Sequence, residues 1–186
     1  MTLGLRVKSG WAAAVLLTNS RTSAAVVDSR VIELADADAP HSRQPFHVAF
    51  GTAQTDSAKV KQLVRGIERF SRRSVRTLIE ELHEHGRVRR AAVVVASLTD
   101  PASLANQHMR AHASEGTLFR NVLVDALARC GVNVRVVLER EVYELLAKRL
   151  RRSPIMAQKR VTALGETVSP WRAEQKVAAA GAWLVS

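Results

Sequence analysis

A single cysteine, Cys130, stands in 186 residues. One thiol excludes an intramolecular disulfide framework and suits a reducing compartment. Aromatic residues make up only 4% of the chain and are not interleaved with its cations, which argues against a stacking platform for single-stranded nucleic acid. The nine glycines form neither a P-loop nor a dinucleotide-type loop, so no cofactor is implied. No apolar run is long enough to span a bilayer. Arg6 and Lys8 ahead of Trp11–Leu17 mimic a signal peptide, but that run is short and alternates like a strand, so the expectation is a mature cytoplasmic protein. Acidic residues are also scarce: 17 against 28 Lys and Arg, for a net charge of +11. Such a balance attracts nucleic acid or other polyanions. Only six of the cations are lysine, so codon bias toward Arg and Ala is the competing explanation.

What is present reads as one α/β domain over residues 1–186, with 47% hydrophobic residues to build a core. Leu3, Leu5 and Val7 alternate with Gly4, Arg6 and Lys8. A turn at Lys8-Ser9-Gly10 leads into a second strand at Trp11–Leu17, and Ala24–Leu34 gives a third. Residues 36–45, broken by Pro40 and Pro45, form a loop. Val60, Leu63, Val64, Ile67, Ser71, Val75, Leu78, Ile79 and Leu82 recur at helical spacing, ended by Gly86. The apolar run 91–98 is a strand covered on both faces. Pro101 is expected to open a helix reaching Cys130-Gly131, residues 132–139 a fifth strand, and Glu141–Leu150 another helix. Residues 151–168 look linker-like, and Ser169-Pro170 is expected to cap a last helix through Leu184. Three meander strands followed by helix–strand–helix–strand–helix predict a mixed five-stranded sheet with right-handed parallel crossovers.

This order, with the opening hairpin "LGLRVKSGWAAAVL", resembles the ribonuclease H-like superfamily, which includes Holliday-junction resolvases and relatives of the actin-type ATPases, and bacterial proteins of the same build. The resemblance implies that a nuclease would carry one acid in the first strand, one at or after the fourth, and one in the last helix, because two metals about 4 Å apart need several carboxylates. Here the first-strand position falls on Arg6, or on Lys8. The fourth strand ends at Ser97 with Asp100 beyond. In "WRAEQKVAAAGAW" Glu174 keeps one acid while Val177 replaces the other. A cation in the first strand repels Mg²⁺ and favours an anion, so two-metal nuclease action is not expected.

Other residues merit notice as candidates. His108, His112 and Glu115 lie at i, i+4 and i+7, on one helix face that continues into the apolar stripe Phe119–Cys130 if the helix runs through Gly116. They fit a general acid/base pair (His112 oriented by Glu115), a polar cleft, or a structural network; a metal site lacks the H-E-x-x-H order and a fourth ligand, and no metal is assigned. Glu139, at the end of the fifth strand, is placed to pair with Arg6 or Lys8. Lys61, Arg65, Arg69, Arg72 and Arg76 form a basic stripe about 22 Å long. His83 and His85 sit among glutamates on a solvated face. Two readings follow. One is a nucleic-acid-binding member without the metal-nuclease set, using the stripe. The other is an enzyme or binder for a small anion, using an edge cleft of Arg6, Lys8, His112 and Glu115 with His108, Glu139 and Glu174 around it.

Overall fold

A computed structural model describes residues 1–19, 23–49, 52–169 and 171–186. Strands β1 (Thr2–Lys8), β2 (Trp11–Asn19) and β3 (Ala24–Glu33) form the expected antiparallel meander. Gly10, at φ +83°, supplies the left-handed turn between the first two, a conformation that disfavours any side chain. A short hairpin, β4 (His47–Ala49) and β5 (Thr52–Ala53), stands apart from the main sheet. The long helix α1 (Ser57–Leu82) carries the chain across to β6 (Arg90–Val95), which pairs parallel with β1. Helix α2 (Gln107–Arg129) crosses again to β7 (Asn133–Leu138), parallel to β6. Three helices follow: α3 (Glu139–Leu150), α4 (Pro154–Ala163) and α5 (Ala173–Leu184). The sheet order is β3-β2-β1-β6-β7, so β1 is central. The α/β class and the mixed five-stranded sheet are as the sequence predicts.

Strand alternation divides the core. Leu3, Leu5 and Val7 of β1, with Val93 and Val95 of β6, join a cluster with α1 and α2. The opposite face, with Val15, Leu17, Val94 and Val137, is covered by α3, α4 and the alanine-rich α5. Phe119 of α2 is fully buried, and enclosing such a side chain is worth about 1.5–3 kcal/mol. Ser71, within the apolar stripe of α1, donates to Leu34 O at 2.6 Å and ties the helix to the end of β3. Among the described residues, no helix is long and apolar enough to cross a membrane.

Four boundaries differ from expectation. Pro101 opens only a 3-10 turn (Pro101–Ser103); α2 starts after Asn106, whose side chain accepts from Met109 N at 3.0 Å. The stretch read as a linker contains α4, capped by Ser153 with Pro154 in its first turn. Strands β4 and β5 follow the loop at 36–45, where the sequence pattern gives no strand. The last helix begins at Ala173, not at Ser169-Pro170; Pro170 lies outside the described residues, as do residues 20–22 of the connection after β2.

Helix α2 runs without a break through Gly116, which is exposed and where an added Cβ would meet nothing within 4 Å. Gly116→Ala is therefore expected to stabilise the fold by up to about 1 kcal/mol, through helix propensity alone. For a chain of this size that is a rise of about 2–4 °C in Tm. A fall in Tm would mean that the helix is bent or crowded there.

Candidate functional site

Alternation in β1 decides where Arg6 points. Gly4, two residues before it, faces the backbone of α5, so Arg6 belongs to the α3/α5 face. It is 3% exposed, and its guanidinium is ion-paired with Glu139 at the start of α3 and donates to Val7 O. Lys8 lies 3.6 Å from Glu174 in the first turn of α5. The anion that a buried arginine calls for is thus supplied by the chain itself. Glu139 takes up Arg6, one of the two pairings expected of it.

His108, His112 and Glu115 belong to α2, whose buried residues pack on the other face of the sheet. No hydrogen bond or ion pair among the described residues links them to Arg6, Lys8, Glu139 or Glu174. The single edge cleft expected to join Arg6 and Lys8 with His112 and Glu115 is therefore corrected to two separate groups: Arg6 leaves β1 on the α3/α5 face, whereas α2 packs on the face of Leu5 and Val7.

The helical trio is itself arranged differently from expectation. Glu115 is 1% exposed, but His112 sits at the rim with its side chain 49% exposed. Glu115 does not primarily orient His112, whose Nδ1 is 3.8 Å from its carboxylate. It accepts instead from Nδ1 of buried His47, on β4, at 2.7 Å. That pairing spans 68 positions in sequence, and no periodicity announces it. The three imidazoles are mutually packed, with centroids 4.4 Å apart for His108 and His112, 4.6 Å for His47 and His112, and 5.3 Å for His47 and His108. Nε2 of His108 and Nε2 of His112 are 3.1 Å apart. Nε2 of His47, Nδ1 of His108 and Oε2 of Glu115 are buried without hydrogen-bond partners. Burial pushes the Glu115 carboxyl above its usual range, opposed by the hydrogen bond from His47. Partial burial holds His112 below its ordinary value, and its two histidine neighbours add to the effect.

The basic stripe is on the solvent side of α1. Lys61, Arg65, Arg69, Arg72 and Arg76 are all exposed. Arg72 reaches Asp125 of α2 at 3.3 Å, and Arg76 lies 3.8 Å from Glu80. Lys61, Arg65 and Arg69 have no ion-pair partner among the described residues. Between α1 and α2 lies a groove of about 380 Å³, lined by Arg69, Arg72, Arg73, Arg76 and Arg129 with Ala126 and Cys130. Arg129, from the last turn of α2, was not singled out by the spacing on α1; only the helix pairing brings it to the stripe. Asp125, bonded to both Arg129 and Arg72, is held below the usual carboxylate range, chiefly by the Arg129 hydrogen bond. Burial pushes the Cys130 thiol up. His83 and His85 form a 3-10 turn at the end of α1, unburied as expected.

No protein-family model and no curated protein sequence matches this chain. Its backbone, however, is similar to solved structures. It superposes on Thermus thermophilus RuvC with a TM-score of 0.52 at 15% identity, covering 98% of this chain and 90% of that one. Against T. thermophilus RuvC in complex with a Holliday junction substrate the TM-score is 0.56 at 14% identity, with the same coverage. The chain has the ribonuclease H-like fold that its element order and opening hairpin predict.

Proposed function

We propose that this chain is a nucleic-acid-binding ribonuclease H-like domain that does not carry out two-metal nuclease chemistry. The observation that carries the reading is the exposed stripe Lys61–Arg65–Arg69, continued by the arginine-lined groove between α1 and α2. Cations spaced along a helix track a phosphate backbone, and the net charge of +11 supplies the long-range attraction. One structure of similar fold holds a Holliday junction substrate, which makes duplex and branched DNA the first forms to try.

The second half of the proposal rests on the donor set at the sheet edge. Divalent ions in a nuclease site need several carboxylates free to coordinate them. Here Glu139 is engaged by Arg6 and Glu174 by Lys8, and the first-strand position is a buried cation. These residues do not fit a pair of divalent ions. No step is assigned to them.

A salt series tests the binding. About five phosphate contacts on duplex DNA predict a log–log slope of affinity against salt near about −4.5. Reversing Lys61, Arg65 and Arg69 to Glu removes three of them, so the slope should fall to about −2 or shallower. Affinity should drop at least about tenfold, as the reversed charges also repel the backbone. Arg72 and Arg76 are left in place because reversing them would set like charges beside Asp125 and Glu80 and confound the result. A shallow slope in the parent protein, or an unchanged slope in the triple variant, would remove the stripe from the binding surface.

A further inference from the structure

We infer that His47, His108 and His112 form a binding site for a borderline divalent transition-metal ion of the zinc class, with Glu115 as the residue that positions His47. The inference is independent of nucleic-acid binding and rests on side chains that the basic stripe does not use.

One ring nitrogen from each of the three histidines lies within 4.8 Å of the others. A tetrahedral ion with Zn–N bonds of about 2.0–2.1 Å holds its ligand nitrogens about 3.3 Å apart. His108 and His112 already have Nε2 atoms 3.1 Å apart. At that spacing one ring N–H donates to the lone pair of the other, and both nitrogens become ligands once that proton moves to the far nitrogen of its ring or to solvent. His47 completes the set. Its Nδ1 is committed to Glu115 at 2.7 Å, so the nitrogen it can offer is Nε2, which is buried and unpartnered. An imidazole with one nitrogen bonded to a carboxylate and the other aimed at a cation is the usual support for a metal-bound histidine. The carboxylate fixes the tautomer and raises the ring's basicity. Glu115 is enclosed and held by His47 and by a backbone hydrogen bond from Phe46, so its position is firm.

The ligand type selects the ion. Three neutral nitrogens suit Zn²⁺, Ni²⁺, Co²⁺ or Cu²⁺ and are poor ligands for Mg²⁺ or Ca²⁺, which take oxygen. Three protein ligands leave a fourth position. His112 is half exposed, so that position opens toward solvent and would be filled by water or by an oxygen of an anionic ligand. The ion would also join β4 to the first turns of α2, adding to the His47–Glu115 bond that already links them.

The test uses the full chain, stripped with chelator and titrated with Zn²⁺ and Co²⁺ under calorimetry and visible spectroscopy. The expected result is one ion per chain with a Kd of about 1 µM or tighter. Co²⁺ should show the ligand-field bands of four-coordinate geometry, and Zn²⁺ should raise Tm by mass action. His112→Ala, at a half-exposed position, should abolish the bands and the Tm rise, and His108→Ala should do the same. Glu115→Gln should weaken Zn²⁺ binding by about 10–100-fold while keeping one ion per chain. His83→Ala and His85→Ala, on the exposed end of α1, should change nothing. Binding weaker than about 100 µM in the parent chain, or binding that survives in His112→Ala, would overturn the inference.

Discussion

Gly4→Ala, a change of one methyl group, is expected to cost about 3 kcal/mol or more, and Gly4→Val to prevent folding. An ideal Cβ at Gly4 would sit 1.8 Å from the carbonyl oxygen of Ala178 and 2.8 Å from the amide nitrogen of Ala182. Both atoms are helix backbone, so no rotamer change relieves the clash. Either β1 must move or α5 must lift. β1 is central and bonded on both sides, to β2 and to β6. α5 therefore gives way, and with it the buried Ala178, Ala179, Ala180, Ala182 and Trp183. Domains of this kind have a total stability of about 5–15 kcal/mol, so the loss is a large share of it. Chemical denaturation followed by circular dichroism measures it. A Gly4→Ala protein within about 1 kcal/mol of the parent would mean that α5 does not approach the sheet this closely. Gly181 repeats the device from the helix side, where an added Cβ would lie 2.8 Å from Val94 Cγ2. The small residues of "VAAAGAW" are thus the condition for a helix seated on the sheet at near-backbone contact.

Glu139→Ala is expected to destabilise the protein by about 3 kcal/mol. The guanidinium of Arg6 is enclosed, with 4% of its side chain exposed, whereas Glu139 remains 40% exposed. Removing the carboxylate strands a buried cation with Val7 O as its remaining acceptor among the described residues. Arg6→Met removes the charge and keeps similar volume, and is expected to be close to neutral or stabilising. The double variant Arg6→Met/Glu139→Ala should then recover most of what Glu139→Ala loses, a non-additivity that a double-mutant cycle reads directly. Equal and additive losses would mean that the pair is solvated and contributes little. The outcome also bears on function. An arginine whose charge is answered inside the fold is a structural element of the sheet edge, and ligand anions would have to displace Glu139 to reach it.

Local patterns carried the sequence reading as far as they physically can. Alternation in β1, the glycine turn at Gly10 and the nine-residue stripe of α1 each depend on neighbours within one element, and all are realised. The start of α2 differs from expectation because Asp100-Pro101 carries a helix-start signal that stops after one 3-10 turn, while the effective cap, Asn106, lies among other polar residues. Ser153-Pro154 is a local helix-start signal, and it begins α4 within the stretch expected to be linker-like. The candidate sites divide along the same line. The face shared by His108, His112 and Glu115 follows from helical period, and the burial of Glu115 from the stripe below it. His47 does not follow from any of this. It sits on a three-residue strand and meets Glu115 only after the chain has closed a long loop. The separation of Arg6 from His112 also needed the third dimension, since adjacency at a sheet edge says nothing about which face a side chain leaves from.

The seat of α5 on β1 has a consequence for the chain as it is made. β1 begins at Thr2, but the helix that covers one of its faces begins at Ala173. At synthesis rates of roughly 5–20 residues per second, roughly 10–30 s separate the appearance of the two at the ribosome. During that interval the meander, the crossovers and the α1/α2 side can form, while Val15, Leu17 and Val94 on the other side still lack the alanine face that covers them. A nascent chain in that state exposes apolar surface beside its growing end, the condition under which chaperones engage. Among the helices described, the one whose backbone meets β1 is made after the other four.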